Sequence, residues 1–270
     1  MNDSIKEKLI EMLNDQREIF GNDLFEEKHS RKTKIETSVK SQNHKEPGNS
    51  MPKKKTTTSK IKIYDKQFAF NECEDPAKQA IETWESSETL EELHKNIGSC
   101  TKCILYKGRN KFVFGVGNSN AKVMCIGEGP GAEEDKQGYP FVGRAGKLLT
   151  DILKAIKFSR DDVFIGNVVK CRPPGNRTPL PAEMDTCSPY LLKQIDLIKP
   201  ELILCLGLTA AQGLLNKKDS LTNMRGKVFN FRGAKAMVTY HPAALLRNPQ
   251  WKKGCWEDVQ KFRKLYDELV

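Results

Sequence analysis

The sequence predicts an α/β protein, a central four-stranded parallel sheet with helices on both faces, preceded by a long N-terminal extension. Three observations carry this. Four short apolar runs, Val123 to Gly127, Val163 to Val169, Leu202 to Gly207 and Ala236 to Tyr240, look like buried strands flanked by loops. Between them, Leu148, Leu149, Ile152, Leu153 and Ile156 repeat at helical spacing, as do Leu191, Leu192 and Ile195. Such alternation of strand and helix gives a parallel sheet covered on both sides. Finally, the composition changes near residues 60 to 85, from a polar tract to a globular sequence.

Residues 1–86 form the expected extension. It opens with a short amphipathic helix, Ile5, Leu9, Met12 and Leu13 on one face, and continues as a tract rich in Lys, Ser, Thr and Asn. Around Lys53, Lys54 and Lys55 the tract is expected to be largely disordered. Residues 87–270 form the expected catalytic domain. Thr89 followed by Glu92 fits a capping box, and Leu90, Leu93 and Ile97 then give the apolar face of a helix that ends just before Cys100.

Bulk properties narrow the function class. The chain of 270 residues carries 45 Lys and Arg against 35 Asp and Glu, a formal net charge of +10, which suits a polyanionic partner such as nucleic acid. A solubilising surface charge is the plainer explanation, so charge alone decides little. No apolar run reaches the roughly 18 residues needed to cross a bilayer, and the N-terminus lacks a secretory core. A soluble cytoplasmic protein with access to DNA and no membrane partner is expected. Eight cysteines are too sparse for a disulfide scaffold.

In a doubly covered parallel sheet, working residues gather where loops leave the carboxyl ends of the strands, and three such loops are informative here. The first is Gly127, Glu128, Gly129, Pro130, Gly131, then Ala132, Glu133, Glu134 and Asp135. Its glycines allow close backbone approach to a ligand, and its carboxylates can order water. A phosphate loop is the rival, but the GxxxxGK[ST] lysine is missing and the acidic residues would repel phosphate, so no nucleotide cofactor is expected. The earlier Gly115, Val116, Gly117 reads as a turn. The second loop runs from Asn167 through Lys170, Cys171 and Arg172 to Asn176 and Arg177. An asparagine at a strand end can hold a base edge with its paired donor and acceptor. In the third, His241 precedes Pro242 at the end of the last strand, where an imidazole can serve electrostatic catalysis.

Cys100 and Cys103 form a CxxC pair, while Cys171 and Cys187 have 15 residues between them. Four thiolates on an iron-sulfur cluster, four on zinc, or unrelated buried thiols all fit this spacing. Cys125 and Cys205 sit within apolar strands and read as core, and Cys73 and Cys255 have no such partners.

Taken together, the CxxC after a helix, GEGPGAEED, PFVGRAG, NVVKCRPPGNR, the later cysteine and HPAALLR occur in the order of the iron-sulfur uracil-DNA glycosylases, the fourth family of their superfamily, which residues 87–268 resemble. The resemblance implies a three-layer α/β/α fold, a 4Fe-4S cluster on Cys100, Cys103, Cys171 and Cys187, and a monomer that flips uracil out of DNA and hydrolyses its N-glycosidic bond. By the same resemblance, uracil lies against Gly127, Glu128 and Gly129, stacks on Phe141 and is read by Asn167. His241 faces the departing base, and Leu245, Leu246 and Arg247 enter the DNA where the nucleotide left. The best-known class of the superfamily has an aspartate where this chain has Gly129. Glu128, Glu134 and Asn176 are then the candidates to orient water, Glu128 foremost, and Glu134 the candidate to exclude the thymine methyl. Two rivals stand beside this reading: a noncatalytic iron-sulfur DNA-binding module tied to a polymerase or repair complex, and a nucleotide hydrolase with zinc on the four cysteines.

Overall fold

The structure, a computed structural model, describes residues 83–270. The expected N-terminal helix and the basic tract lie outside the described residues. Helix α1 (Leu90–Ile97) begins where expected. The Thr89 side chain accepts the Glu92 N–H at 3.1 Å, and the Glu92 carboxylate reaches back to the N–H of Glu88 rather than that of Thr89. Leu90, Leu93 and Ile97 are buried, so the apolar face docks inward as its spacing predicts. Trp84, just before the expected domain start, packs edge-on against Tyr190 with ring centroids 5.0 Å apart, and the Lys193 ammonium holds the Glu85 carbonyl at 2.7 Å.

The sheet has six strands: β1 (Val116–Gly117), β2 (Val123–Gly127), β3 (Val163–Asn167), β4 (Leu202–Leu206), β5 (Val228–Phe231) and β6 (Ala234–Thr239), in the spatial order β1-β3-β2-β4-β6-β5. The four predicted strands are its parallel centre. Two antiparallel edge strands were not anticipated. Val116 and Gly117, read as a turn, pair with Ile165 and Phe164. A Cβ on Gly117 would overlap the backbone of Val163, so this edge can form only with glycine there. The four central strands are each buried almost end to end, which is why their sequences do not alternate.

Alternate residues nevertheless face different layers. Val123, Cys125, Val163, Ile165, Leu202 and Leu204 pack with helix α3 (Gly143–Ala155), and with Cys255, Val259 and Phe262 of helix α8 (Lys252–Leu269). Met124, Ile126, Phe164, Ile203 and Cys205 pack with α1, helix α4 (Pro181–Ile198) and helix α5 (Leu208–Leu215). This is the three-layer α/β/α arrangement. Cys125 and Cys205 are fully buried core residues, their thiols pushed up to about 12 by burial. The short helices α2 (Ala132–Gln137), α6 (Leu221–Met224) and α7 (Pro242–Arg247) fill the connections.

The topology locates the working end. After β2 the chain leaves toward the α3 layer, and after β3 it leaves toward the α4 layer, so the connections diverge between two adjacent parallel strands. A crevice opens at such a switch point. Gly127 and Asn167, the last residues of β2 and β3, are paired in register there.

Candidate active site

A cleft of about 350 Å³ lies at this switch point, bordered by Glu128, Gly129, Glu134, Phe141, Asn167 and His241, with Asn176, Arg177 and Arg247 also on its wall. Three loops far apart in sequence therefore meet in one place. Beyond Asn167 the β3 chain keeps pairing with β2, because the Val168 and Val169 N–H groups donate to the carbonyls of Gly127 and Glu128 at 3.0 and 3.1 Å. This holds the glycine-rich loop and the asparagine as one piece. A Cβ on Gly127 would stand 2.5 Å from Asn167 Oδ1 and 2.6 Å from the Phe141 ring. The missing side chain is what lets amide and ring approach each other.

Phe141 is buried and has φ of 52°, a left-handed backbone that a side chain rarely adopts. The surroundings enforce it. The Arg160 guanidinium donates to the carbonyls of Phe141 and Pro140 at 3.3 and 3.1 Å, and the Glu134 carboxylate accepts the Val142 N–H at 3.1 Å. On the other side, a Cβ on Gly146 would overlap the Phe141 carbonyl. The ring centroid of Phe141 is 5.5 Å from that of His241, with the planes inclined by 31°.

His241 caps α7, its Nδ1 accepting the Ala243 N–H at 3.1 Å. Burial, helped by the Arg247 cation, pushes its pKa down from 6.5 to about 4. The ring is therefore neutral near pH 7 and carries its proton on Nε2. The residues after it part ways. Leu245 is fully buried and packs with the α3 and α8 layer, whereas Leu246 and Arg247 are exposed. In a helix that caps the domain with one face inward, one of three consecutive residues must turn to the core.

Asn176 is exposed, and its side-chain oxygen accepts Arg172 Nε at 2.7 Å. Arg177, not expected as a site residue, borders the cleft and pairs two-pronged with the buried Glu183 at 2.8 and 2.6 Å. Glu183 also takes the Leu180 N–H at 2.8 Å, which fixes the loop entering α4. Sequence reading missed Arg177 because its role depends on a partner six residues away.

The four cysteines of the two pairs gather behind this loop. The thiols of Cys100 and Cys103 lie within electrostatic reach of Cys171, and those of Cys171 and Cys103 within reach of Cys187. Burial is the main cause that raises Cys171, and it pushes Cys187 up to about 12. Arg109 joins the segments, donating to the Cys100 carbonyl at 2.7 Å and to Cys171 Sγ at 3.2 Å, while Cys100 Sγ lies 3.3 Å from the Tyr190 hydroxyl. Among the described residues, no three His, Cys, Asp or Glu side chains converge as the ligands of a single metal ion would.

Fold and cleft define an α/β/α protein with one aromatic face, one amide edge and one imidazole donor at the switch point of its sheet. Residues 114–265 match the Uracil DNA glycosylase superfamily. Curated relatives agree. The chain is 43% identical over 186 residues to a type-4 uracil-DNA glycosylase of Archaeoglobus fulgidus, covering 66% of this chain and 94% of that protein. It is 45% identical over 180 residues to one of Thermotoga maritima, covering 65% and 94%, and 46% identical over 187 residues to one of Sulfurisphaera tokodaii, covering 66% and 85%. The chain belongs to this superfamily, in its type-4 uracil-DNA glycosylase family.

Proposed function

We propose that the protein excises uracil from DNA, breaking the N-glycosidic bond and leaving an abasic site. The observation that carries this is the meeting of Phe141, Asn167 and a neutral His241 in one cleft. An extruded base needs a stacking face and hydrogen bonds to its edge, and Phe141 and Asn167 supply them. When the bond breaks, electrons move onto the uracil ring and negative charge collects on its carbonyl oxygen. The Nε2–H of His241 donates to that oxygen, and a neutral donor gains most where the charge is greatest, at the transition state. Glu128, on the wall of the cleft, orients the water that attacks the sugar. Glu134 sits beside Gly131 and excludes the thymine methyl, while Leu246 and Arg247 meet the DNA backbone and the vacated stack. The test is release of free uracil from a duplex with one uracil, beside the same duplex with thymine.

The four thiols fit a 4Fe-4S cluster on Cys100, Cys103, Cys171 and Cys187. Their mutual proximity, and the Arg109 cation among them, suit an anionic thiolate-bound group. Such a cluster, when bound, would cross-link the end of α1, the loop after β3 and α4. The residues of the cleft do the rest: they bind, orient and donate.

A further inference from the structure

Lys170 is fully buried, in the segment that joins Asn167 to Cys171. An ammonium in a protein interior is costly unless its donors are met, and an apolar side chain would pack as well. Here the ammonium meets neutral oxygens: Nζ donates to the Asn167 carbonyl at 2.9 Å and to Gln194 Oε1 at 2.6 Å. Gln194 is itself fully buried on α4 and donates from Nε2 to the Phe114 carbonyl at 3.0 Å. The main chain of Lys170 is held as firmly. Its N–H points to Cys187 Sγ at 3.4 Å, and its carbonyl takes the Val113 N–H at 2.9 Å. One residue thus grips the strand end that presents the Asn167 amide, α4, and a thiol of the cysteine group.

We infer that Lys170 is a positioning residue for uracil recognition: its buried ammonium holds the Asn167 backbone in register with the base, tying the pocket to the thiol-bearing segment. The inference rests on Asn167 meeting the uracil edge. Losing the ammonium frees the Asn167 carbonyl and lets the amide drift, while the DNA-facing residues Leu246 and Arg247, on α7, stay in place.

The test uses the full chain as wild type, Lys170→Met, Gln194→Leu and Gln194→Glu. Four quantities are measured: single-turnover excision from a uracil duplex, inhibition by free uracil, affinity for a duplex with a tetrahydrofuran abasic analogue, and iron content. Lys170→Met should slow excision by about 10- to 100-fold, the scale for a misplacement near 1 Å, and weaken uracil inhibition by a similar factor. Abasic-duplex affinity should stay within about twofold, because Leu246 and Arg247 lie on α7, and iron should match wild type, because methionine keeps the main-chain N–H that points to Cys187 Sγ. Gln194→Leu should move the same two quantities in the same direction, and Gln194→Glu, which keeps an acceptor for Nζ but loses the donor to the Phe114 carbonyl, should fall between Gln194→Leu and wild type. The Gln194 pair decides the matter if Lys170→Met fails to fold. Unchanged excision and uracil inhibition in the folded variants overturn the assignment, as does a parallel fall of uracil inhibition, abasic affinity and iron, which would mark a general structural role. A wild type that releases no uracil removes the activity itself, an outcome separate from an active wild type whose variants are unaffected.

Discussion

The Ala243 main-chain N–H donates to Nδ1 of His241 at 3.1 Å. A ring nitrogen that accepts cannot carry a proton, so this bond between residues two apart sets the tautomer and leaves Nε2–H as the donor. Gly207 completes the seat: with φ of 93°, it leaves room for His241, whose Cβ would stand 3.0 Å from a Cβ there. Strand β6, the cap of α7 and the end of β4 thus place one imidazole.

His241→Ala is expected to lower single-turnover excision by about 100-fold or more, the scale for losing one preorganised donor, while affinity for uracil duplex stays within a few fold. Asn167→Ala should damage both, because its amide meets the base before and during bond cleavage. Equal losses in rate and binding for His241→Ala would contradict the division of labour.

The pH dependence follows from the depressed pKa. The folded His241 stays neutral down to about 4, whereas in the unfolded chain it titrates near 6.5. Between those values the unfolded chain binds more protons, so acid removes stability from 6.5 downward and the effect levels off below about 4. Excision should show no inflection near 6.5 from this group and should fail as the pH approaches 4. A rate profile on a uracil duplex checks this; an inflection near 6.5 that disappears in His241→Ala would refute it.

Gly127→Ala tests the crowding at the switch point. The new methyl must displace the Asn167 amide or the Phe141 ring, so excision should fall by about 100-fold, the cost of a displacement near 1 Å. Iron content should change little, while stability should fall by about 1–3 kcal/mol, the usual cost of overpacking a buried site. Urea unfolding and single-turnover rates measured side by side settle the point.

The cysteine group predicts colour. Protein purified without oxygen should be brown and hold about four irons, because thiolate-to-iron charge transfer absorbs visible light. Cys171→Ser should bleach it. A colourless protein loaded with zinc would exclude the cluster.

The legible parts of the fold are those whose physics is local. Buried parallel strands must be apolar throughout, and helices that cover them must repeat at 3.6 residues, so the central sheet and α3 and α4 stand out in the sequence. Strand β1 has two residues and glycine on one side of Val116 and within the strand itself, and β5 alternates between exposed and half-buried, so neither carries a strong signal. A lysine reads as surface, and nothing around Lys170 in sequence reveals Gln194 waiting 24 residues later. Leu245 and Leu246 are identical in type and adjacent, and only packing against α3 and α8 tells the buried one from the exposed one. The site motifs were legible through resemblance; which of their members face the cleft was a matter of geometry.

The left-handed backbone of Phe141 is held by Arg160, Glu134 and the bare Cα of Gly146. A non-glycine residue in that region costs on the order of 1–3 kcal/mol, which the surrounding contacts already offset. Because the ring is fixed by the chain's own contacts, a base can stack on it without any rearrangement of Phe141.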